Sequence, residues 1–169
     1  MTTRGAERTM THPVPRMTPE EAQAWLGLIR VCDLLPSELD SQLQRDSAMT
    51  HFEFGVMTYL RWMPESTASM SEIAEATNAT LSRLSHVCSR LERRGLVQKS
   101  TSPADRRVSR VTLTNAGRRE LVRATPGHIA TARRLVIDAL SPEDLADLAR
   151  ITAKLGEQLD PEQRFATGR

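Results

Sequence analysis

Apolar residues recur at three- and four-residue steps along most of this chain and switch to alternation over one short stretch. The pattern predicts a mainly α fold with one small β-hairpin. Residues 1–17 carry Thr, Arg, Pro and Gly with no apolar period and read as a disordered arm. A first helix starts at Thr18, with Pro19 in the first helical position and Glu20 and Glu21 at the positive end of the helix dipole. Trp25, Leu28, Ile29, Cys32, Leu35, Leu39 and Leu43 keep the period, and Pro36 predicts a kink. Thr50 and Glu53 form a capping-box pair for a second helix, in which Phe52, Val56, Tyr59, Leu60 and Met63 share a face; Pro64 ends it.

A compact unit follows. The sequence predicts a short helix over 71–76, a turn over 77–79 in which Asn78 can take the left-handed conformation, and a helix over 80–94. In that last helix Leu84, Val87, Cys88 and Leu91 form one buried stripe, leaving Ser82, Arg83, Ser85, His86, Ser89 and Arg90 outward or flanking. Gly95 supplies the C-terminal cap. Two strands, 96–100 and 107–113, then flank a basic hairpin tip. Beyond Thr114, Leu121, Ile129, Val136, Ile137 and Leu140 continue a helical face in which Pro126 and Gly127 predict a bend. Ser141, Pro142 and Asp144 open a final helix whose Leu145, Leu148, Ile151, Leu155 and Leu159 suit a dimer seam as well as a core.

The length of 169 residues fits one domain, or one domain with an oligomerisation arm, and is too short for two enzymatic domains. No apolar run is long enough for a membrane span or a signal peptide, so a cytoplasmic location is expected. The net charge of +2 hides a strong asymmetry. Residues 80–123 hold ten Arg and one Lys against Glu92, Asp105 and Glu120, a local +8 that leaves −6 for the remainder. Such a block points to a face for a polyanion, with a merely solvated helix face as the alternative.

Helix, turn, helix and hairpin in succession make a winged helix-turn-helix, in which the second helix enters the major groove of double-stranded DNA and the hairpin meets the backbone or minor groove. Ser82 and Ser85 are short enough for close approach, and Arg83 can donate two hydrogen bonds to a guanine edge. His86 suits a base or a phosphate. Arg90 is assigned to phosphate, while Arg93 is equally explained by the negative end of the helix dipole.

The runs R-L-E-R-R-G-L-V at 90–97 and D-R-R-V-S-R-V-T-L-T-N-A-G at 105–117 resemble the MarR family of bacterial regulators, over roughly 18–159. The resemblance implies that Arg107 enters the minor groove, with Arg106 beside it in the wing, and that Asp105 orients a neighbouring guanidinium through an ion pair. It also implies a homodimer on a pseudo-palindromic operator, in which 18–48 and 116–169 supply the dimerisation helices and 49–115 the DNA-binding region. A ligand-responsive repressor is expected, released by a small aromatic or amphipathic effector held between the dimerisation helices and the DNA-binding lobe.

Five of the six aromatic residues, Trp25, Phe52, Phe54, Tyr59 and Trp62, fall in the first two helices, where they either pack the core or line that crevice. Trp25, His51 and Trp62 are the candidate effector contacts. Cys32 raises the alternative of a redox-responsive regulator, against which stands the presence of only one tyrosine, Tyr59. Cys88 belongs to the buried stripe. The histidines, His12, His51, His86 and His128, are scattered, and no metal or cofactor is expected. Two further classes compete. An enzyme lacks any nucleophile-and-base motif, phosphate loop or cofactor fingerprint in this sequence. A winged-helix protein-interaction module has no need for the basic block.

Overall fold

A computed structural model describes residues 16–101, 105 and 107–164. The expected N-terminal arm, apart from its last two residues, and Arg106 at the wing tip lie outside the described residues. Helix α1 (Pro19–Ser47) opens on a reciprocal cap: the Thr18 hydroxyl accepts the Glu21 N–H at 3.2 Å, and the Glu21 carboxylate accepts the Thr18 N–H at 2.7 Å. Pro36 lies inside the helix without ending it.

The chain divides into two units between Leu34 and Leu35, within α1. In the first unit, Trp25, Leu26, Leu28, Ile29, Val31 and Leu34 are all exposed along one helix. In the second, the end of α1 buries Leu39 and Leu43. Next come α2 (His51–Trp62), α3 (Met70–Ala76), α4 (Leu81–Arg93), α5 (Asn115–Leu135) and α6 (Pro142–Leu159), with short 3₁₀ turns at Pro64–Ser66 and Ile137–Ala139.

Strands β2 (Val97–Thr101) and β3 (Ser109–Leu113) form the expected hairpin, and a third strand, β1 (Thr67–Ser69), completes an antiparallel sheet of order β1-β3-β2. Ala68 pairs with Val111, and the Thr67 and Thr112 hydroxyls meet at 2.7 Å. The inward side chains Val97, Val111 and Leu113 join Leu43, Met49, Val56, Met57, Leu60, Ile73, Leu84 and Leu91 in one core.

One expectation about α5 changes: the helix, with Pro126 inside it, ends at Leu135, so Val136, Ile137 and Leu140 belong to the following turn and not to its apolar face. Gly127 permits close approach: a Cβ there would stand 3.1 Å from Gln42 Nε2 and 3.2 Å from Asp46 Oδ2. The Thr-x-x-Gly entry of α5 has a steric reason as well. The Thr114 hydroxyl accepts the Gly117 N–H at 3.0 Å, and a Cβ on Gly117 would fall 2.1 Å from the Leu96 carbonyl oxygen. Helix α6 starts on a Ser141–Asp144 capping box, yet none of its residues is buried; Leu148, Ile151, Leu155 and Leu159 stay exposed.

Candidate nucleic-acid interface

Three local devices set the pose of α4. Helix α3 is capped reciprocally by Ser69 and Glu72, whose carboxyl is held below its usual range chiefly by the Ser69 backbone N–H it accepts. The turn after α3 closes with the Asn78 N–H on the Glu75 carbonyl and the Ala79 N–H on the Ala74 carbonyl, with Asn78 at φ 47° as expected. The same double bond pattern ends α4: the Gly95 N–H donates to Glu92 and the Leu96 N–H to Leu91, with Gly95 at φ 70°. Arg94 then fastens this end to the end of α1, donating to the carbonyls of Ala48 at 2.7 Å and Ser47 at 3.1 Å.

Between those caps, Leu84, Val87, Cys88 and Leu91 are buried, and Ser82, Arg83, Ser85, His86 and Arg90 are exposed. Burial pushes the Cys88 thiol up to about 11, so it is an inert core residue. Cys32, in the first unit, is exposed and unpaired with any other cysteine.

Two shallow grooves flank α4. One, of about 370 Å³, is lined by Asp40, Thr50, Phe52, Arg83, His86, Val87 and Arg90. The other, of about 340 Å³, separates α4 from the wing and is lined by Met70, Ser71, Leu81, Ser85, Arg107, Val108 and Ser109. The structure thus brings Ser85 and Arg107 to one groove, and Arg83, His86 and Arg90 to the other.

Several of these side chains have partners that residue spacing does not reveal. The Arg83 guanidinium carbon lies 4.2 Å from the centre of the Phe52 ring. Arg90 Nε donates to Glu53 Oε1 at 2.6 Å, with Glu53 buried and Arg90 half-exposed. Arg93 makes a weaker contact, Nε to the Ser89 carbonyl at 3.4 Å. Lys99 of β2 donates its backbone N–H to Glu92 at 2.8 Å and its Nζ to the Ser89 hydroxyl at 2.9 Å, which ties the wing's root to α4. The carboxyl of Asp105 accepts the Arg107 backbone N–H at 2.9 Å, so it shapes the wing turn through the main chain. Arg106, the other guanidinium next to it in sequence, lies outside the described residues.

Of the candidate effector contacts, Trp25 belongs to the first unit and His51 and Trp62 to the second; both tryptophans are exposed. Phe54 is buried, while Phe52 and Tyr59 pack partly buried against the core. His51 meets His128 of α5, ring centres 5.5 Å apart, and the His128 ring centre lies 4.4 Å from that of Phe54. Burial lowers both histidines below the ordinary value; for His51 the nearby Asp40 opposes the shift, and for His128 the neighbouring His51 adds to it.

Comparison with known proteins gives a consistent match. The MarR family pattern fits residues 49–108. Sco3205, a MarR family transcriptional regulator from Streptomyces coelicolor solved in complex with DNA, is 38% identical, with a TM-score of 0.81 over 86% of this chain and 95% of that one. The transcriptional repressor MdtR of Bacillus subtilis is 30% identical over 95 residues, or 56% of this chain; the match spans only 61% of MdtR. BpsR of Bordetella bronchiseptica, whose DNA binding is regulated by 6-hydroxynicotinic acid, is 25% identical with a TM-score of 0.69, over 79% of this chain and 98% of BpsR. No described helix is long and apolar enough to cross a membrane.

Proposed function

The chain belongs to the MarR family of transcriptional regulators, and on that footing we propose that it acts in the cytoplasm as a homodimeric, ligand-responsive repressor of a pseudo-palindromic DNA operator. The observation that carries this reading is the groove shared by Ser85 of α4 and Arg107 of the wing, which sets a helix for the major groove beside a cation for the minor groove. In this proposal Arg83 reads a guanine edge, Ser82 and Ser85 allow close approach, His86 meets a base or phosphate, and Arg90 contacts phosphate. Arg106 and Arg107 belong to the wing's contact, and Asp105 holds the turn that presents them. The DNA-bound state of Sco3205 supports the reading.

The dimer would be formed by the apolar faces left open on one chain, along the first unit of α1 and along Leu148, Ile151 and Leu155 of α6, together with α5. The effect of 6-hydroxynicotinic acid on BpsR supports an effector of small aromatic kind here too, with Trp25, His51 and Trp62 as its candidate contacts. Selection of bound fragments from random duplex DNA, followed by titration of the best site at several salt concentrations, tests the whole. An enriched pseudo-palindrome with a steep salt slope is expected; no enrichment at low salt would favour a protein-interaction module.

A further inference from the structure

Two cationic side chains of α4 are held by adjacent residues of one turn of α2. Phe52 carries Arg83 on its face at 4.2 Å, and Glu53 takes the Nε–H of Arg90 at 2.6 Å. The turn itself is fixed. Phe52 packs against the core, and Glu53 is 1% exposed, with its second oxygen accepting the Thr50 backbone N–H at 2.7 Å. The next N–H, from His51, donates to Asp40 of α1 at 2.8 Å.

The two attachments have different consequences for recognition. An ion pair through Nε occupies one of the guanidinium's edge donors, which are the groups that would read a base. A ring beneath the guanidinium, unlike a carboxylate, draws none of its N–H groups into an ion pair, so the edge donors of Arg83 stay available for a base. An arginine that is already ordered loses less rotamer freedom on meeting a base, so a ring behind it raises discrimination without itself touching DNA.

We propose that Phe52 is a specificity-determining positioning residue, whose ring holds the Arg83 guanidinium in reading orientation before DNA arrives. The inference rests on the base-reading role of Arg83 proposed above. The test measures binding of the full-length protein to its selected operator and to every single-base variant of one half-site. Wild type is compared with Phe52→Leu, Phe52→Tyr, Arg83→Ala and the Phe52→Leu/Arg83→Ala double variant.

Phe52→Leu is expected to cut discrimination about two- to fivefold, only at the base position that Arg83→Ala identifies. Phe52→Tyr restores it, and Phe52→Leu has no further effect at that position once Arg83 is alanine. In the free wild-type protein, NMR should also show the Arg83 side-chain protons shifted upfield by the ring, a readout that stands even if Phe52→Leu folds poorly. Full discrimination in a folded Phe52→Leu protein, or unshifted Arg83 protons, would overturn the positioning role alone. A flat base profile for Arg83→Ala would overturn the base-reading role, and this inference with it.

Discussion

Helices α4 and α6 are both amphipathic, yet they end in opposite circumstances. In α4 the apolar stripe of Leu84, Val87, Cys88 and Leu91 is buried by the chain's own core, and what remains outside is mainly Ser, Arg and His, with Leu81 at the helix's first position. In α6 the stripe of Leu148, Ile151, Leu155 and Leu159 meets solvent, and no residue of the helix is buried. The difference separates two kinds of work. One helix is finished by its own chain and turns a mainly polar, basic face outward; the other leaves its apolar side chains in water, the kind of surface on which the proposed dimer draws. A periodic stripe therefore reports a helix and a face, but not whose core that face completes.

The sharpest way to break the contrast is to damage the finished helix. Leu91→Ala removes a fully buried side chain and is expected to lower stability by about 2–5 kcal/mol in urea unfolding. A loss well under that range would mean that α4 is not anchored as described. A smaller effect should separate the roles of the exposed face: Arg83→Ala is expected to cost about 1–3 kcal/mol of binding at mainly one base position. Arg107→Ala should instead weaken binding on all sequences and reduce the salt slope by about one. Equal, sequence-independent losses from both would merge the two roles.

The smallest expected effect concerns pH. The imidazoles of His51 and His128 have folded-state values below the ordinary 6.5 because burial opposes their charged forms. The unfolded chain then binds more protons over that interval, so stability is full above about pH 6.5 and falls as pH drops through the lowered values. His128→Gln should flatten this decline in thermal unfolding between neutral and mildly acid pH; an unchanged decline would place the linkage elsewhere.

Much of the DNA-facing region could be read from residues alone, because its determinants are local. The Thr50–Glu53 capping box, the left-handed Asn78, the buried stripe of α4 and the Gly95 cap each depend on neighbours within a few positions. What escaped was long-range. Strand β1 has three residues, too few for alternation to show, and exists through pairing with β3 more than 40 positions away. The Glu53–Arg90 pair and the Phe52–Arg83 stack join α2 to α4 across intervals that no periodicity encodes. Pro36 and Pro126 each lie inside a helix that continues past it, so neither marks a helix end.

Sedimentation equilibrium of the full-length protein, alongside an Ile151→Glu/Leu155→Glu variant, tests most directly whether the open stripe of α6 belongs to a second copy. Twice the chain mass of 18.9 kDa is expected for the wild type at micromolar concentration, and a single chain mass for the variant with its helical circular dichroism largely kept. A wild type that sediments as a single chain throughout, or a folded variant that still sediments at twice that mass, would contradict the assignment.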